Sequence, residues 1–589
     1  MNVITGLEPA GRTPWARIAL IWLCIAVLMV LINWSNIAQG RFLDPDDTLR
    51  LVQVRDLVGG QGWFDLHQYR VDPGASPVMH WSRLVDTPLA LAVLSFRPWF
   101  GQAMAEQVAV VIVPLLTLLA LMAIVGRIAY RVFDREIAGL ACLSLGFSPL
   151  LLAQFQPLRI DHHAWQVVSV MFAIGALMQR NPRIGGALAG IGIATGMSIS
   201  LEVLPLAAIV GAVLLLRWLR DPAQRWWLAA YLAGLAAMLA IWFAATRGFA
   251  DLTAHCDVVS PQHFGFFAVV ALGAVAIASR PKVPPAGVVA LLGAAGAAGL
   301  ALFALTAPQC VAGPFGNLDP VVRQYWYANV LEGRPFWLQP ADQVLAPLMQ
   351  GVIALFVTLH LWRKAEGERR GWWGDYLLVF AGALVVGLTV WRSMIFVGAL
   401  SAVPIAWLLH RLLHRFRTAE RPAVRIAVGV AALFALLPAT PVVMARLVLP
   451  AKVAGSDGQM RESSCELAQS ALALNPLGKA TIFAPVDIGP ALIERTQDSV
   501  VATGHHRAQQ GMRDVIVAFL GPQDQAHAIV RRHNARYLVL CTDLGEPQLY
   551  EAAAPHGFMA QLLHGKVPAW LQAVPVDAPP TFRVWKVVG

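Results

Sequence analysis

Charged residues are scarce in this sequence. Only 14% of its 589 residues are Asp, Glu, Lys or Arg, whereas about a quarter of a soluble globular chain is usually charged. Apolar residues make up 57% of the chain and fall in long runs, and a run of about 18 residues can cross a bilayer as a helix. The composition therefore excludes an ordinary soluble chain and predicts a polytopic α-helical membrane protein.

Features of several other protein classes are missing as well. The net charge is +10, but no basic stretch is interleaved with aromatic residues, so no nucleic-acid partner is expected. The Lys and Arg residues fall instead in short loops between apolar runs. No internal repeat and no low-complexity segment is visible. No small-x-small cleavage site precedes Asp44, so the first apolar run is expected to be an uncleaved span.

Thirteen apolar runs are predicted to cross the membrane. They are 17–36, 103–126, 137–155, 163–179, 184–199, 201–218, 225–246, 264–279, 285–306, 343–362, 374–391, 393–410 and 425–447. A further run, 86–100, is short and contains Pro88 and Pro98, so it is predicted to lie at the membrane interface.

The signs of the loop charges give the topology. With the N-terminus in the cytoplasm every inner loop is basic, and the outer segments carry the acidic residues. The outer segments are 37–102, 156–162, 247–263 and 307–342. The sequence therefore predicts a transmembrane domain over 1–449 and an outer domain over 450–589, which would face the periplasm of a bacterial inner membrane.

The segment 450–589 has the composition of a soluble domain. Short strand-like runs at 480–484, 499–502 and 537–541 alternate with helical stretches, which predicts a small α/β domain. Four of the six cysteines fall outside the spans, as the pairs Cys256 with Cys310 and Cys465 with Cys541. Disulfides would suit an oxidising compartment, but buried free thiols explain the same residues, and both interpretations stay open.

Three carboxylates open the first outer segment. Asp44, Asp46 and Asp47 lie within a stretch of four residues after the first span. Their carboxylates repel one another unless a positive charge lies among them. A divalent cation or a cationic partner would supply that charge. A solvated helix N-terminus is the alternative, because Asp is favoured there.

A second motif, Asp161-His162-His163, fills the short outer segment between the third and fourth spans. Asp161 and His163 can converge on one ion from a turn, and oxygen with imidazole ligation suits Mn²⁺ or a similar metal. A capping Asp followed by interfacial His residues is the alternative. The motif gains weight because it lies at the same membrane face as the acidic cluster, where ionisable groups are functional candidates.

Two later residues are predicted at the same face. Glu332 lies in the outer loop 307–342, where it can contact an acceptor or the surroundings of a metal, although the aromatic residues beside it also fit an interfacial belt. Arg392 lies on the outer side against the positive-inside trend. It can bind a lipid phosphate through charge-assisted hydrogen bonds, or it can extend to the lipid headgroups.

These motifs resemble those of the catalytic subunits of oligosaccharyltransferases, in the GT-C class of membrane glycosyltransferases. Asp44-Pro45 followed by Arg50 is similar to the DPWFNYR-type segment that opens the family's first outer loop. Asp161-His162-His163 looks like the DHH form of the family's metal motif. The predicted span number, the outer Arg392 and the C-terminal outer α/β domain are similar too.

The resemblance implies transfer of a sugar or glycan from a polyprenyl-phosphate-linked donor to a lipid, glycan or protein acceptor, with inversion at the anomeric carbon. Membrane lipids would surround the protein. The resemblance also implies a divalent metal, Mn²⁺ or Mg²⁺, held by Asp44, Asp161 and His163. Arg392 and Arg50 are the implied contacts to the donor phosphate.

The resemblance leaves the acceptor side open. Asp46, Asp47 or Glu332 is expected to orient or deprotonate the acceptor. The family's acceptor-reading motif is WWDYG-like, whereas the nearest segment here is Pro485-Val486-Asp487-Ile488-Gly489, which lacks both tryptophans. Asp487, His505 and His506 are therefore the acceptor-side candidates, and recognition of an Asn-x-Ser/Thr acceptor is in doubt.

Two other function classes fit a membrane protein of this composition. A transporter or flippase of a lipid-linked envelope precursor usually places ionisable residues near the bilayer midplane, whereas here nearly all lie at the outer edge. Glu202, near a predicted span end, is the closest exception. A non-catalytic envelope assembly protein is the third interpretation, and metal binding that depends on Asp161 and His163 would argue against it.

Overall fold

The structure is a computed structural model that describes residues 11–249, 251–438, 440 and 463–589. Helices dominate the part before residue 438. They are α1 (Trp15–Ile32), α2 (Trp34–Gln39), α3 (Pro45–Val58), α4 (Arg83–Val132), α5 (Arg135–Gly146), α6 (Pro149–Phe155), α7 (His163–Ala176), α8 (Pro182–Ile199), α9 (Leu204–Arg220), α10 (Arg225–Thr246), α11 (Pro261–Ala278), α12 (Pro285–Thr306), α13 (Pro320–Tyr325), α14 (Ala341–Lys364), α15 (Gly367–Thr389), α16 (Met394–Thr418) and α17 (Pro422–Leu436).

The described helices support a multi-pass membrane protein, with fewer full-length spans than predicted. A helix occupies each of the thirteen predicted spans. Among the described residues, nine helical segments are long and apolar enough to cross a membrane, and α5 with α6, bent by 71°, would be a tenth if the pair is one span. The prediction of thirteen is higher because α7 and α17 are short and α8 has five glycines among its 18 residues. Residue 439 and residues 441–447 of the last predicted span lie outside the described part, as does the predicted domain boundary at 449–450.

The run 86–100 forms the first part of α4. The helix is broken at Gly101, whose φ of 76° is in the left-handed region that favours glycine. The broken helix separates this run from the membrane span that follows it, and its location at the membrane interface stays a prediction.

Helices α8 and α10 pack at close backbone distance. A Cβ atom added to Gly190 or Gly186 on α8 would lie less than 3.0 Å from the backbone oxygen of Tyr231 or Trp227 on α10. A Cβ atom on Gly234 of α10 would meet the backbone of Ala187 in the same way. Small residues at such positions allow membrane helices to approach closely.

Replacement of Gly190 by Leu is expected to lower the free energy of unfolding by about 1–3 kcal/mol, because the two backbones must move apart. The thermal unfolding temperature of the purified protein in detergent measures this effect. Gly293→Leu on α12 is the control, since a Cβ atom there meets nothing within 4 Å. An equal change in both variants would contradict the close-packing argument.

The described residues 463–589, called here the C-terminal domain, contain a five-stranded sheet of order β2-β1-β3-β5-β4. The first three strands are parallel, and β5 pairs antiparallel with β3 and β4. Three of the strands lie at the three predicted strand-like runs. The strands are β1 (Thr481–Phe483), β2 (Ser499–Val500), β3 (Tyr537–Cys541), β4 (Leu571–Ala573) and β5 (Phe582–Val587). The helices are α18 (Leu467–Ser470), α19 (Gly489–Arg495), α20 (Gln509–Leu520), α21 (Gln523–Arg532), α22 (Gly545–Ala553) and α23 (Phe558–Leu563).

Both pairs of outer cysteines form disulfides. One joins Cys256 to Cys310 and thus connects the loop after α10 to the loop after α12. The other joins Cys465 to Cys541 within the C-terminal domain. The structure therefore favours the disulfide interpretation over buried free thiols for these four residues.

The first outer segment joins the C-terminal domain to the membrane helices. The backbone N–H of Asp72 donates to the carbonyl of Val500 in β2, and the N–H of Val500 donates to the carbonyl of Arg70, both at 2.8 Å. Arg55 on α3 pairs with Glu106 on α4 at 2.8 Å and with Glu494 on α19 at 2.7 Å. These contacts position the loops of the C-terminal domain over the ends of the membrane helices.

Candidate active site

A cavity of about 330 Å³ lies between the helix ends and the C-terminal domain. Side chains from the first outer segment, the helix ends, the loop 307–342 and the C-terminal domain line it together. Six of the residues predicted from the sequence are among them: Asp46, His163, Glu332, Arg392, His505 and His506. These six predicted residues therefore lie around one cavity.

Arg159 is the positive charge among the carboxylates of the first outer segment. Its Nη1 donates to Asp44 at 2.6 Å and to Asp47 at 2.8 Å, and its Nη2 lies 3.7 Å from Asp161. The other oxygen of Asp47 accepts the backbone N–H groups of Ile160 and Asp161, each at 2.8 Å. The cation that compensates the charges of Asp44 and Asp47 is therefore the Arg159 side chain. Asp47 also holds the second motif against α3.

Asp46 points away from this network and lines the cavity. Its carboxylate has no hydrogen bond or ion pair within the described part of the chain. Burial, followed by the charges of Asp44, Asp161 and Glu332, raises the pKa of Asp46 well above its ordinary value. Asp46 is thus the member of the acidic cluster that is free to act on a bound molecule.

Asp161, His162 and His163 bring one carboxylate and two imidazoles together at the N-terminus of α7. The Nδ1 atom of His163 lies 2.6 Å from Asp161, the Nδ1 atom of His162 contacts the same carboxylate, and the two rings stack at 4.3 Å. One ligand atom from each residue lies within 4.8 Å of the others. The Nε2 atom of His163 is buried without a hydrogen-bond partner.

This donor set fits a divalent transition ion, because carboxylate oxygen and imidazole nitrogen together suit Mn²⁺ or Zn²⁺ better than Mg²⁺. The structure differs from the predicted ligand set at two positions. Asp44 is paired with Arg159 and is not part of the group, whereas His162 is part of it.

Arg392 lies in a 3₁₀ turn, Trp391–Ser393, between α15 and α16. Its Nη2 pairs with Glu202 at 2.7 Å and its Nη1 lies 3.4 Å from Glu332. Glu202 also lies 3.7 Å from the Nε2 atom of His163, so it stands between the arginine and the Asp161 group. The buried Nε atom of Arg392 has no hydrogen-bond partner among the described residues.

Histidines form another part of the cavity wall. The Nδ1 atom of His80 lies 2.8 Å from the Nε2 atom of His505, and the Nε2 atom of His506 lies 2.7 Å from Asp257. Arg507 donates to both oxygens of Asp257, at 2.8 and 2.7 Å. Although burial opposes it, these bonds lower the pKa of Asp257 below its ordinary value.

Five predicted residues are not part of the cavity wall: Asp44, Asp47 and Asp161, which belong to the network around Arg159, and Arg50 and Asp487. Arg50 is fully buried on α3, where its Nη1 donates to Asp86 at 2.9 Å and its guanidinium lies 4.5 Å from the ring centre of Trp81. It is therefore unable to reach a donor phosphate in this structure. Asp487 is exposed, and its backbone N–H donates to Glu546 at 2.9 Å, but its side chain is not part of the cavity wall.

Several residues of the site were not predicted as such. Arg159 lies two residues before the second motif, and Arg507 directly follows the predicted His505-His506 pair, so proximity to a motif was their signal. Glu202 was notable only as an acidic residue near a span end. His80 has no local sequence signal, because only the fold brings it to His505.

The comparisons with known proteins identify the fold. No family model matches the sequence, and no curated protein matches it. The structure is similar to that of the oligosaccharyltransferase AglB from Archaeoglobus fulgidus in complex with an inhibitory peptide and a dolichol-phosphate, with a TM-score of 0.65, 14% identity, and coverage of 94% of this chain and 72% of that chain. The chain has the fold of the GT-C membrane glycosyltransferases.

Two further structures of the Archaeoglobus fulgidus enzyme are similar to this structure, each at the same sequence identity of 14%. The one tethered to an acceptor peptide containing the NVT sequon has a TM-score of 0.63 and coverage of 95% of this chain and 74% of that chain. The one in complex with Zn and sulfate has a TM-score of 0.59 and coverage of 95% and 72%. The GT-C resemblance predicted from the motifs is thus confirmed for the fold.

Proposed function

We propose that this protein is a membrane glycosyltransferase that transfers a sugar or glycan from a polyprenyl-phosphate-linked donor to an acceptor. The reaction would take place at the membrane face that carries the C-terminal domain, which is the periplasmic face of a bacterial inner membrane. One observation carries the proposal: the Asp161 group, Arg392 and the unpaired carboxylate of Asp46 line or adjoin one cavity at the edge of the membrane helices. The GT-C fold supports it.

The leaving phosphate is the group whose charge must be stabilised. Asp161, His162 and His163 would hold a divalent cation such as Mn²⁺, which would supply Lewis-acid stabilisation of that charge when bound. Arg392 would add a second positive contact, with its unpartnered Nε atom available to a phosphate oxygen. Glu202 and Glu332 hold the guanidinium in place until the donor binds.

The acceptor is the nucleophile in this proposal. Asp46 would take the proton from its hydroxyl or amide group as the bond from the acceptor to the anomeric carbon forms. The bond from that carbon to the phosphate oxygen breaks at the same time, and the phosphate leaves with the electron pair. Asp46 suits this role because it lines the cavity without a cation attached to its carboxylate. Attack from the side opposite the phosphate would invert the anomeric centre.

A transfer assay with the purified full-length protein tests the proposal. The protein is incubated with Mn²⁺, radiolabelled polyprenyl-phosphate-linked sugars and extracted envelope acceptors. We expect label to move to an acceptor and free polyprenyl phosphate to accumulate. Movement of the labelled lipid across a proteoliposome bilayer with no change in its chemical form would indicate a flippase and overturn the proposal.

Arg392→Gln is expected to weaken binding of polyprenyl phosphate about 10-fold or more, because a charge-assisted hydrogen bond contributes about 1.5–3 kcal/mol. Equilibrium binding of a fluorescent polyprenyl phosphate measures the effect. Arg334→Gln is the matched control, since Arg334 belongs to the same face and its side chain is not part of the cavity wall. Equal affinities of the two variants would remove Arg392 from the donor site.

A further inference from the structure

The cavity wall contains a second set of side chains that can bind a metal. His80, Asp257 and His506 each contribute one ligand atom, and these atoms lie within 4.8 Å of one another. All three residues line the cavity. They share no residue with the Asp161 group, and they have no role in the transfer proposed above.

The three residues come from separate parts of the chain. His80 lies just before α4, and Asp257 follows Cys256, whose disulfide to Cys310 holds that loop. His506 belongs to the C-terminal domain. Three segments that are remote in sequence thus bring two imidazoles and one carboxylate close together. An ion bound by these groups would connect the three segments.

The hydrogen bonds of His80 leave one of its nitrogens free for an ion. The backbone N–H of His80 donates to the Nε2 atom of His505 at 3.3 Å, so that Nε2 is an acceptor. The same Nε2 lies 2.8 Å from the Nδ1 atom of His80, which must therefore carry the proton. The lone pair of neutral His80 is then on its Nε2 atom. Metal-bound histidines are usually oriented by such a hydrogen bond from the other ring nitrogen.

The geometry around Asp257 is also suited to an ion. Arg507 donates to both oxygens of Asp257 and thereby fixes the plane of the carboxylate. The Nε2 atom of His506 lies 2.7 Å from Asp257, and neighbouring ligands on a tetrahedral Zn²⁺ lie about 3.3 Å apart, so the two groups need to separate by only about 0.6 Å to hold the ion. A proton shared by Asp257 and His506 can be exchanged for a metal ion without a large movement of either group.

We propose that His80, Asp257 and His506 form a second metal site, selective for Zn²⁺ or an ion of similar preference. Two imidazoles and one carboxylate are a common zinc ligand set, and three protein ligands leave one coordination position open. That position would face the cavity. His505 is a positioning residue that orients His80. The bound ion would fasten the C-terminal domain to the first outer segment and to the disulfide-bonded loop. The site does not depend on the proposed transfer reaction.

The number of Zn²⁺ ions bound by the full-length protein tests this site. The purified protein is stripped with a chelator, dialysed against Zn²⁺ and analysed for bound metal. The Asp161→Asn variant removes the first group and isolates the second, so it is expected to retain one equivalent and to show a rise in melting temperature on addition of Zn²⁺. Absence of bound Zn²⁺ from this variant would overturn the proposal.

His80→Gln and His506→Gln in the Asp161→Asn background are expected to lose that equivalent and the shift in melting temperature. His564→Gln in the same background is the control, because His564 is an exposed histidine of the same domain. Retention of the ion by both His80→Gln and His506→Gln would show that it binds elsewhere. If these variants fail to fold, the Asp161→Asn measurement alone decides.

Discussion

Replacement of Arg159 by Met is expected to lower the free energy of unfolding by about 3–5 kcal/mol, because it leaves buried carboxylates without their cation. Arg159 is 9% exposed and bridges Asp44 and Asp47, and the Asp47 side chain is fully buried. Met fills a similar volume, so the main change is the loss of charge. Thermal unfolding of the purified protein, followed by tryptophan fluorescence, measures the effect.

Two further variants make the test of Arg159 specific. Arg513→Met removes an arginine that is 43% exposed and pairs with Asp319 at 3.3 Å, so it is expected to change stability by less than about 1 kcal/mol. Addition of Asp47→Asn to the Arg159→Met variant is expected to restore part of the lost stability, since the variant then has one buried charge fewer. Equal stability of Arg159→Met and Arg513→Met would contradict the role of Arg159 as the internal cation.

Asp161→Asn is expected to lower the rate of glycosyl transfer by about 100- to 1,000-fold, the range seen when one stabilising contact to a developing charge is removed. The substitution removes the carboxylate of the proposed ion group. The amide oxygen of Asn can still accept the backbone N–H of His162, and its NH₂ group can donate to the Nδ1 atom of His163 when that ring is protonated on Nε2. The fold should therefore persist while the ion and the transfer rate are lost.

Initial rates at saturating donor and Mn²⁺ measure this effect, with the melting temperature as a test of folding. Asp65→Asn is the matched control, because Asp65 makes the same contact two residues along the chain, to the Nδ1 atom of His67 at 2.8 Å. That pair is partly exposed and is not part of the cavity wall. An Asp161→Asn variant that is folded and transfers at the rate of Asp65→Asn would exclude the Asp161 group from the reaction.

The architecture was largely predictable because it depends on local signals. Apolar runs predicted helices at all thirteen positions, and β-rich runs predicted β1, β2 and β3. Fewer full-length spans than predicted are found among the described residues, at α7 and α8, because hydropathy alone does not determine how far a helix extends; the end of the last predicted span lies outside the described part. The pairings of β3 with β5 and of β5 with β4 were not predictable, since they join strands through tertiary contacts.

The candidate site was predictable as a location and only partly as a set of contacts. Successive residues of a helix point about 100° apart, so the neighbours Asp44, Asp46 and Asp47 have different surroundings despite a common motif. Asp44 and Asp47 contact Arg159, whereas Asp46 faces the cavity. Arg50 continues the same helix and is buried against Asp86. The family motif marks this helix, and the rotation of the helix decides which of its side chains are available.

The sequence by itself determined that this protein is a multi-pass membrane protein, and its charge pattern predicted one face for Asp44, Asp161, His163, Glu332 and Arg392. Both follow from properties of short segments, namely the hydropathy of the apolar runs and the sign of the charge on the loops between them. Only the tertiary structure decided that Arg159 is the cation of the acidic cluster and that His80 meets His505 and His506. Those contacts join residues more than 100 positions apart, and no local pattern specifies them because they exist only once the chain has packed.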